Sequence, residues 1–202
     1  MKIIYVHGLG SGANSSTGEL LKEVFSEHEV ICAEMPIEPF KAYMYLKDLV
    51  IRERPNLLIG TSLGGFYAML IAGPKKLLIN PALKASEVIK DVIGLGKYDY
   101  HCVRLDGAEK YVIDEKMVED LAALEKTFYK KLLDMEVKSE TFAIFGDSDN
   151  LFSYKSFFEK NFREENVYEV KNMSHRLSKY DMDKVKPIVE EILAKKNLFN
   201  LY

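Results

Sequence analysis

The sequence predicts an α/β fold: a mostly parallel, six-stranded, doubly wound sheet in three layers, with helices on both faces. Three observations carry this. Six short β-rich runs recur, at Ile3–Val6, Val30–Ala33, Leu57–Ile59, Leu77–Ile79, Phe142–Phe145 and Val167–Val170. Five are almost continuously apolar, as strands covered on both faces should be. Most are followed by a stretch of helical period.

Taken in order, Ile3–Val6 runs into a polar loop and an amphipathic stretch over 17–27. Val30–Ala33 leads to a helix over 41–54, Leu57–Ile59 to one over 65–72, and Leu77–Ile79 to one over 84–93. Phe142–Phe145 leads to a helix over 153–162, and Val167–Val170 to the last, near 181–196. Val167-Tyr168-Glu169-Val170 is polar enough for a sheet edge. Pro36, Pro39, Pro55, Pro74 and Pro81 fall at or near the joins, where a missing N–H is tolerated. Roughly sixty residues separate Asn80 from Thr141, about twice an ordinary crossover. This interval holds Gly94–Tyr100 and a long charged helix over 114–134. It is expected to be a cap or lid-like insertion over 83–138 within a single domain spanning 1–202. The alternative is a helix packed on the sheet without a role in substrate handling.

With 48% hydrophobic and 29% charged residues, the chain is neither disordered nor fibrous. Lys plus Arg number 28 against 31 Asp plus Glu, net −3, which offers no global attraction to nucleic acid or anionic membrane. Cys32 and Cys102 are too few for a disulfide framework and too distant for a metal knuckle, so they read as buried thiols in a reducing compartment. After Met1-Lys2 the apolar run is too short for a signal peptide. The longest one, Phe66–Ala72, cannot span a bilayer. A cytoplasmic protein with no membrane, nucleic-acid, metal or cofactor partner is expected; its oligomeric state is open.

The chemistry sits in the loops after the strands. Gly60-Thr61-Ser62-Leu63-Gly64-Gly65 places G-x-S-x-G between a strand and a helix, where a strained turn lifts the serine above the sheet. Side chains two before and two after the serine would collide, hence the glycines. A serine nucleophile needs a base, and the base an orienting acid. Parallel strands deliver their following loops to one sheet edge, so partners belong in later loops. These read Gly146-Asp147-Ser148-Asp149-Asn150 and Lys171-Asn172-Met173-Ser174-His175-Arg176. Ser62, Asp149 and His175 then follow in the chain order of an α/β-hydrolase triad, with Asp149 preferred on spacing and Asp147 the alternative. His7-Gly8-Leu9-Gly10 after the first strand has the form of an oxyanion loop. His7 would be structural, and the backbone N–H groups of Leu9 and Leu63 would hold the oxyanion. His28 reads as a solvated surface residue and His101 as a structural residue of the insertion. Tyr98, Tyr100, His101 and Tyr111 either line a pocket or pack on the sheet. The apolar Leu198–Tyr202 docks on its own domain or on a second subunit.

These residues resemble the YqiA-type esterases of the α/β-hydrolase superfamily. The likeness covers nearly the whole chain: the first strand into His7–Ser11, the elbow from Gly60 to Ala68, Ile79-Asn80-Pro81-Ala82, and the acid and histidine loops. It implies a cofactor-free serine hydrolase acting on a small ester or thioester. The insertion from Tyr98 to Glu125 departs from the pattern, so substrate choice does not carry over. Two other readings compete. Gly8-Leu9-Gly10-Ser11-Gly12-Ala13 fits a dinucleotide fingerprint, with Glu34 where a ribose-binding acid would lie. However, Asn14–Gly18 delays the helix, with Ser16 or Thr17 the better N-cap. The other is a hydrolase-fold interaction protein with a vestigial triad.

Overall fold

Side chains alternate across a strand, and in the computed structural model, which describes residues 1–131 and 135–195, that alternation builds two apolar layers around one sheet. The elements run β1 (Lys2–Val6), α1 (Ser16–Val24), β2 (Glu29–Cys32), α2 (Pro39–Glu53), β3 (Leu57–Thr61), α3 (Leu63–Leu70), β4 (Lys75–Ile79) and α4 (Ala85–Glu87). Then come β5 (Gly96–Asp99), β6 (Lys110–Ile113), α5 (Glu115–Lys131), α6 (Met135–Ser139), β7 (Thr141–Gly146), α7 (Lys155–Asn161), β8 (Val167–Val170) and α8 (Met182–Ala194). The large sheet has the order β2-β1-β3-β4-β7-β8, and every neighbouring pair is parallel. All its strands therefore point their C-terminal ends at one edge, which collects the loops that carry Ser62, Asp149 and His175.

Ile4, Val6, Leu58, Leu78, Ala143 and Phe145 face a layer formed by α2, α3, α5 and α7, with Leu46, Phe66, Leu121 and Phe158 fully buried. Ile3, Tyr5, Leu57, Ile59, Leu77 and Ile144 face α1 and α8, against Leu21, Phe25, Val185, Val189 and Ile192. Each fully buried aliphatic side chain contributes about 1.5–3 kcal/mol. The nearly unbroken apolar runs of β1, β3, β4 and β7 are thus strands covered on both faces, whereas that of β2 is a half-buried sheet edge. Among the described residues no helix is long and apolar enough to cross a membrane.

Several boundaries differ from expectation for physical reasons. β4 begins at Lys75, not Leu77, because both lysines are buried at the strand start. Lys75 Nζ donates to the carbonyls of Ile192 and Lys195 at the end of α8, where a cation meets the negative end of the helix dipole. The N-cap of α1 is Ser15, whose hydroxyl accepts from Gly18 N–H at 3.2 Å, rather than Ser16 or Thr17. The helix expected over 84–93 starts as α4 and finishes as a π-helical turn over Val88–Ile93.

The interval 83–138 divides into two structural parts. α5 packs against α2, α3 and α4 as a regular member of the outer helical layer. The antiparallel hairpin β5–β6 and its connecting loop instead lie over the C-terminal edge of the sheet. The sequence pattern predicts no strands here. Leu198–Tyr202, residue 196 of the last expected helix and residues 132–134 of the expected charged helix lie outside the described residues.

Candidate active site

The peptide between β3 and α3 turns within one residue. Ser62 adopts φ 52, ψ −120, a conformation that costs a non-glycine residue about 1–3 kcal/mol and persists only where the surroundings over-determine it. A Cβ on Gly64 would run into the Val6 and His7 carbonyl oxygens, and one on Gly60 would lie 2.6 Å from the Gly64 oxygen. Larger residues at either position would push the turn apart. Ser62 N–H donates to Ile79 O at 3.0 Å, and its carbonyl accepts from Gly65 and Ala82 N–H, each at 3.0 Å. The elbow is therefore fastened to its own helix and to the segment that follows β4.

His175 stands five residues beyond the end of β8, with Nδ1 2.7 Å from Asp149 Oδ2. A carboxylate oxygen only accepts, so Nδ1 carries the proton and Nε2 presents its lone pair. The second oxygen, Asp149 Oδ1, accepts from Leu151 N–H at 2.9 Å, which fixes the carboxylate plane. The Asp149 side chain is only 2% exposed, and Phe152 packs edge-on against the His175 ring with centroids 4.9 Å apart. Asp147 has other partners. Its Oδ1 accepts from Asn172 N–H at 2.6 Å and from the Ser148 hydroxyl, lacing the acid loop to the histidine loop. Ser62 and His175 line one cavity of about 390 Å³, with no hydrogen bond between them among the described residues.

The loop after β1 closes the site from the other side. Gly8 lies against Ser62: a Cβ there would sit 3.3 Å from Ser62 Cβ. Leu9 follows in the turn, and Leu63 is the first residue of α3, so the Leu63 N–H has no partner within the helix. His7 is buried; its Nδ1–H donates to Gly8 O at 2.8 Å and its Nε2 accepts from Met35 N–H at 3.2 Å. Both nitrogens are used by the neutral ring, and burial lowers its pKa from 6.5 to about 4. Below pH 6.5 the unfolded chain takes up a proton that the folded chain refuses until about pH 4. Acidification through that window therefore removes stability, by up to about 3 kcal/mol. Urea unfolding at pH 7 and pH 4.5 should show a larger loss for the wild type than for His7→Gln. Equal losses would contradict a buried neutral His7.

Arg104, in the β5–β6 connection, ties the hairpin to this loop. Its side chain is 2% exposed, and its guanidinium donates to Ser11 O (2.9 Å) and Met35 O (3.1 Å). It pairs with Asp106 at 2.7 Å and lies over the Tyr100 ring. Glu34 Oε1 sits 2.7 Å from it as an ion pair off the hydrogen-bond direction. Glu34 Oε2 accepts from the N–H groups of Ala13 and Leu105. The carboxylate read as a candidate ribose ligand is thus engaged in joining the hairpin to the loop after β1. His101 N–H reaches Gly10 O at 2.8 Å as a further tie. Of the four insertion residues singled out from sequence, Tyr98, His101 and Tyr111 line the cavity, and Tyr100 packs against Tyr111 and Arg104.

Other residues differ from expectation. His28 is not solvated: its side chain is 12% exposed, stacked on Phe25 and 3.6 Å from Glu190 Oε2. Glu27, His28 and Glu190 bring ligand-type atoms within 4.8 Å of one another, but none lines the cavity. Cys32 and Cys102 are half-buried free thiols rather than fully buried ones. Cys102 stands in the cavity wall, and burial pushes the Cys32 thiol up to about 11. Two residues with structural work at the site gave no chemical signal in the sequence. Arg104 is a lone arginine in a loop, and Asn80 stood out only as part of Asn-Pro-Ala.

A parallel sheet of this order, with a strand–serine–helix elbow at its C-terminal edge, is the α/β-hydrolase fold. The chain belongs to the uncharacterised protein family UPF0227, which it matches over residues 2–193. Solved structures share the fold at low identity. Alpha/beta hydrolase domain-containing protein 10 from mouse is 14% identical with a TM-score of 0.62, over 95% of this chain and 89% of that one. Est1E from Butyrivibrio proteoclasticus is 18% identical with a TM-score of 0.64, over 96% and 88%. The thioesterase domain from the curacin biosynthetic pathway is 13% identical with a TM-score of 0.56, over 96% and 91%.

Proposed function

We propose that this chain is a serine hydrolase that cleaves a small carboxylic ester or thioester through an acyl-serine intermediate. One observation carries the reading. Ser62, held in a strained turn, faces the same cavity as a histidine whose far nitrogen is hydrogen-bonded to a buried carboxylate. His175 Nε2 takes the proton from Ser62 Oγ as the oxygen attacks the carbonyl carbon. Asp149 holds the tautomer and stabilises the imidazolium that forms. The N–H groups of Leu9 and Leu63 stabilise the tetrahedral oxyanion, each worth about 3 kcal/mol. His175 then protonates the leaving alkoxide or thiolate, and a water activated in the same way releases the acid. Similarity in fold to Est1E and to a thioesterase domain supports the reaction class.

The cavity wall is mixed. Tyr5, Ser15 and Thr61 offer hydroxyls, while Ile93, Tyr98 and Leu151 offer apolar surface. Among the described residues the lining contains no Asp, Glu or Lys, and Arg176 carries its fixed charge. We therefore expect an ester bearing a carboxylate to react faster than its neutral homologue, by about fivefold, the scale of an exposed ion pair. The test is turnover of p-nitrophenyl butyrate and mono-p-nitrophenyl glutarate, and equal rates would contradict the preference.

A further inference from the structure

We infer that Asn80 is a positioning residue that sets the histidine and acid loops against the serine elbow. The inference rests on the serine-hydrolase reading for its kinetic consequence, but not for its geometry. Asn80 is 3% exposed and follows directly on β4, the strand between the nucleophile strand β3 and the acid strand β7. Its side chain uses both ends. Oδ1 accepts from Gly146 N–H at 2.9 Å, at the start of the acid loop. Nδ2 donates to the carbonyl oxygens of Ser174 (3.0 Å) and His175 (3.2 Å). Its backbone N–H donates to Ile144 O at 2.9 Å, and the flanking Ile79 O and Ala82 N–H hold Ser62. One buried amide thus touches the two loops that present Asp149 and His175, from a segment bonded to the elbow.

The residue type follows from these demands. The backbone at Asn80 is left-handed, φ 44, which asparagine tolerates better than most residues. A carboxamide is the one side chain of this length that both donates and accepts. Asp keeps the acceptor for Gly146 but sets an oxygen opposite two carbonyl oxygens. Gly keeps the backbone and deletes the tie. Asn80 is not among the residues lining the cavity, so its loss should displace the base rather than the substrate.

The experiment compares wild type, Asn80→Gly and Asn80→Asp. It uses steady-state kinetics with p-nitrophenyl butyrate and the downfield NMR resonance of the His175 Nδ1 proton. The expected result is a kcat loss of about 100-fold, the scale of a 1 Å misplacement, with KM within about twofold and the larger loss in the isosteric Asn80→Asp. The His175 resonance should broaden or shift in both variants. Wild-type kcat in either variant would overturn the inference, and so would a raised KM at unchanged kcat. If the wild type itself proves inactive on esters, the serine-hydrolase reading fails separately. The resonance then decides alone: changed in Asn80→Gly it supports the tie, unchanged it overturns it.

Discussion

Replacing Asp149 by asparagine is expected to lower kcat about ten-thousandfold, whereas Asp147→Asn should leave it within about tenfold. The two changes are chemically identical and two residues apart, so the difference comes from geometry. Asp149 Oδ1 accepts from Leu151 N–H while Oδ2 faces His175 Nδ1. In Asp149→Asn the Leu151 N–H keeps the amide oxygen on its side and turns the NH2 toward His175. Nδ1 must then accept, the proton moves to Nε2, and the nitrogen facing the cavity can no longer receive the serine proton. At Asp147 the same substitution retains an oxygen for the Asn172 N–H and the Ser148 hydroxyl, so the loop lacing survives. Steady-state kinetics on both variants check the ranking. The reverse ranking would move the acid to Asp147.

The second large effect concerns the pair that acts as a unit. Ser62→Ala and His175→Ala should each remove activity by about a million-fold, and the double variant should be no worse than either. The reason is physical. Without the base, the hydroxyl is a poor nucleophile, and without the hydroxyl, the base has no proton to take. Additive losses would show that the two side chains act on separate steps. Neither change should unfold the protein, because Ser62 and His175 are both only partly buried and the elbow is held by backbone bonds.

Much of this architecture was legible because buried parallel strands are apolar on both faces, which gave five strands of the sheet, with β8 recognised by its polar, edge-like run, and because G-x-S-x-G has meaning only between a strand and a helix. The β5–β6 hairpin was not legible. Lys97-Tyr98-Asp99 and Lys110-Tyr111-Val112-Ile113 are short and half-exposed, and ten residues separate the strands without a tight-turn signature. Burial hid other features. Lys75 and Lys76 look like surface residues until the end of α8 is placed over the first of them. Glu34 matched a nucleotide motif at the level of spacing, and only the arrival of Arg104 from a distant hairpin shows where its carboxylate is used. Asp147 and Asp149 occupy one loop, so their partners, rather than their spacing, distinguish them. Asn80 illustrates the same limit: a tripeptide pattern marks the position, but its three side-chain bonds reach residues more than sixty positions away.

The central claim is that Ser62 is a nucleophile activated by His175. The measurement that tests it most directly is labelling of the folded protein with a fluorophosphonate, followed by peptide mapping. The account predicts one adduct, on Ser62, lost in Ser62→Ala and strongly slowed in His175→Ala. No adduct on a folded wild-type protein, or an adduct on another serine in its place, would contradict it.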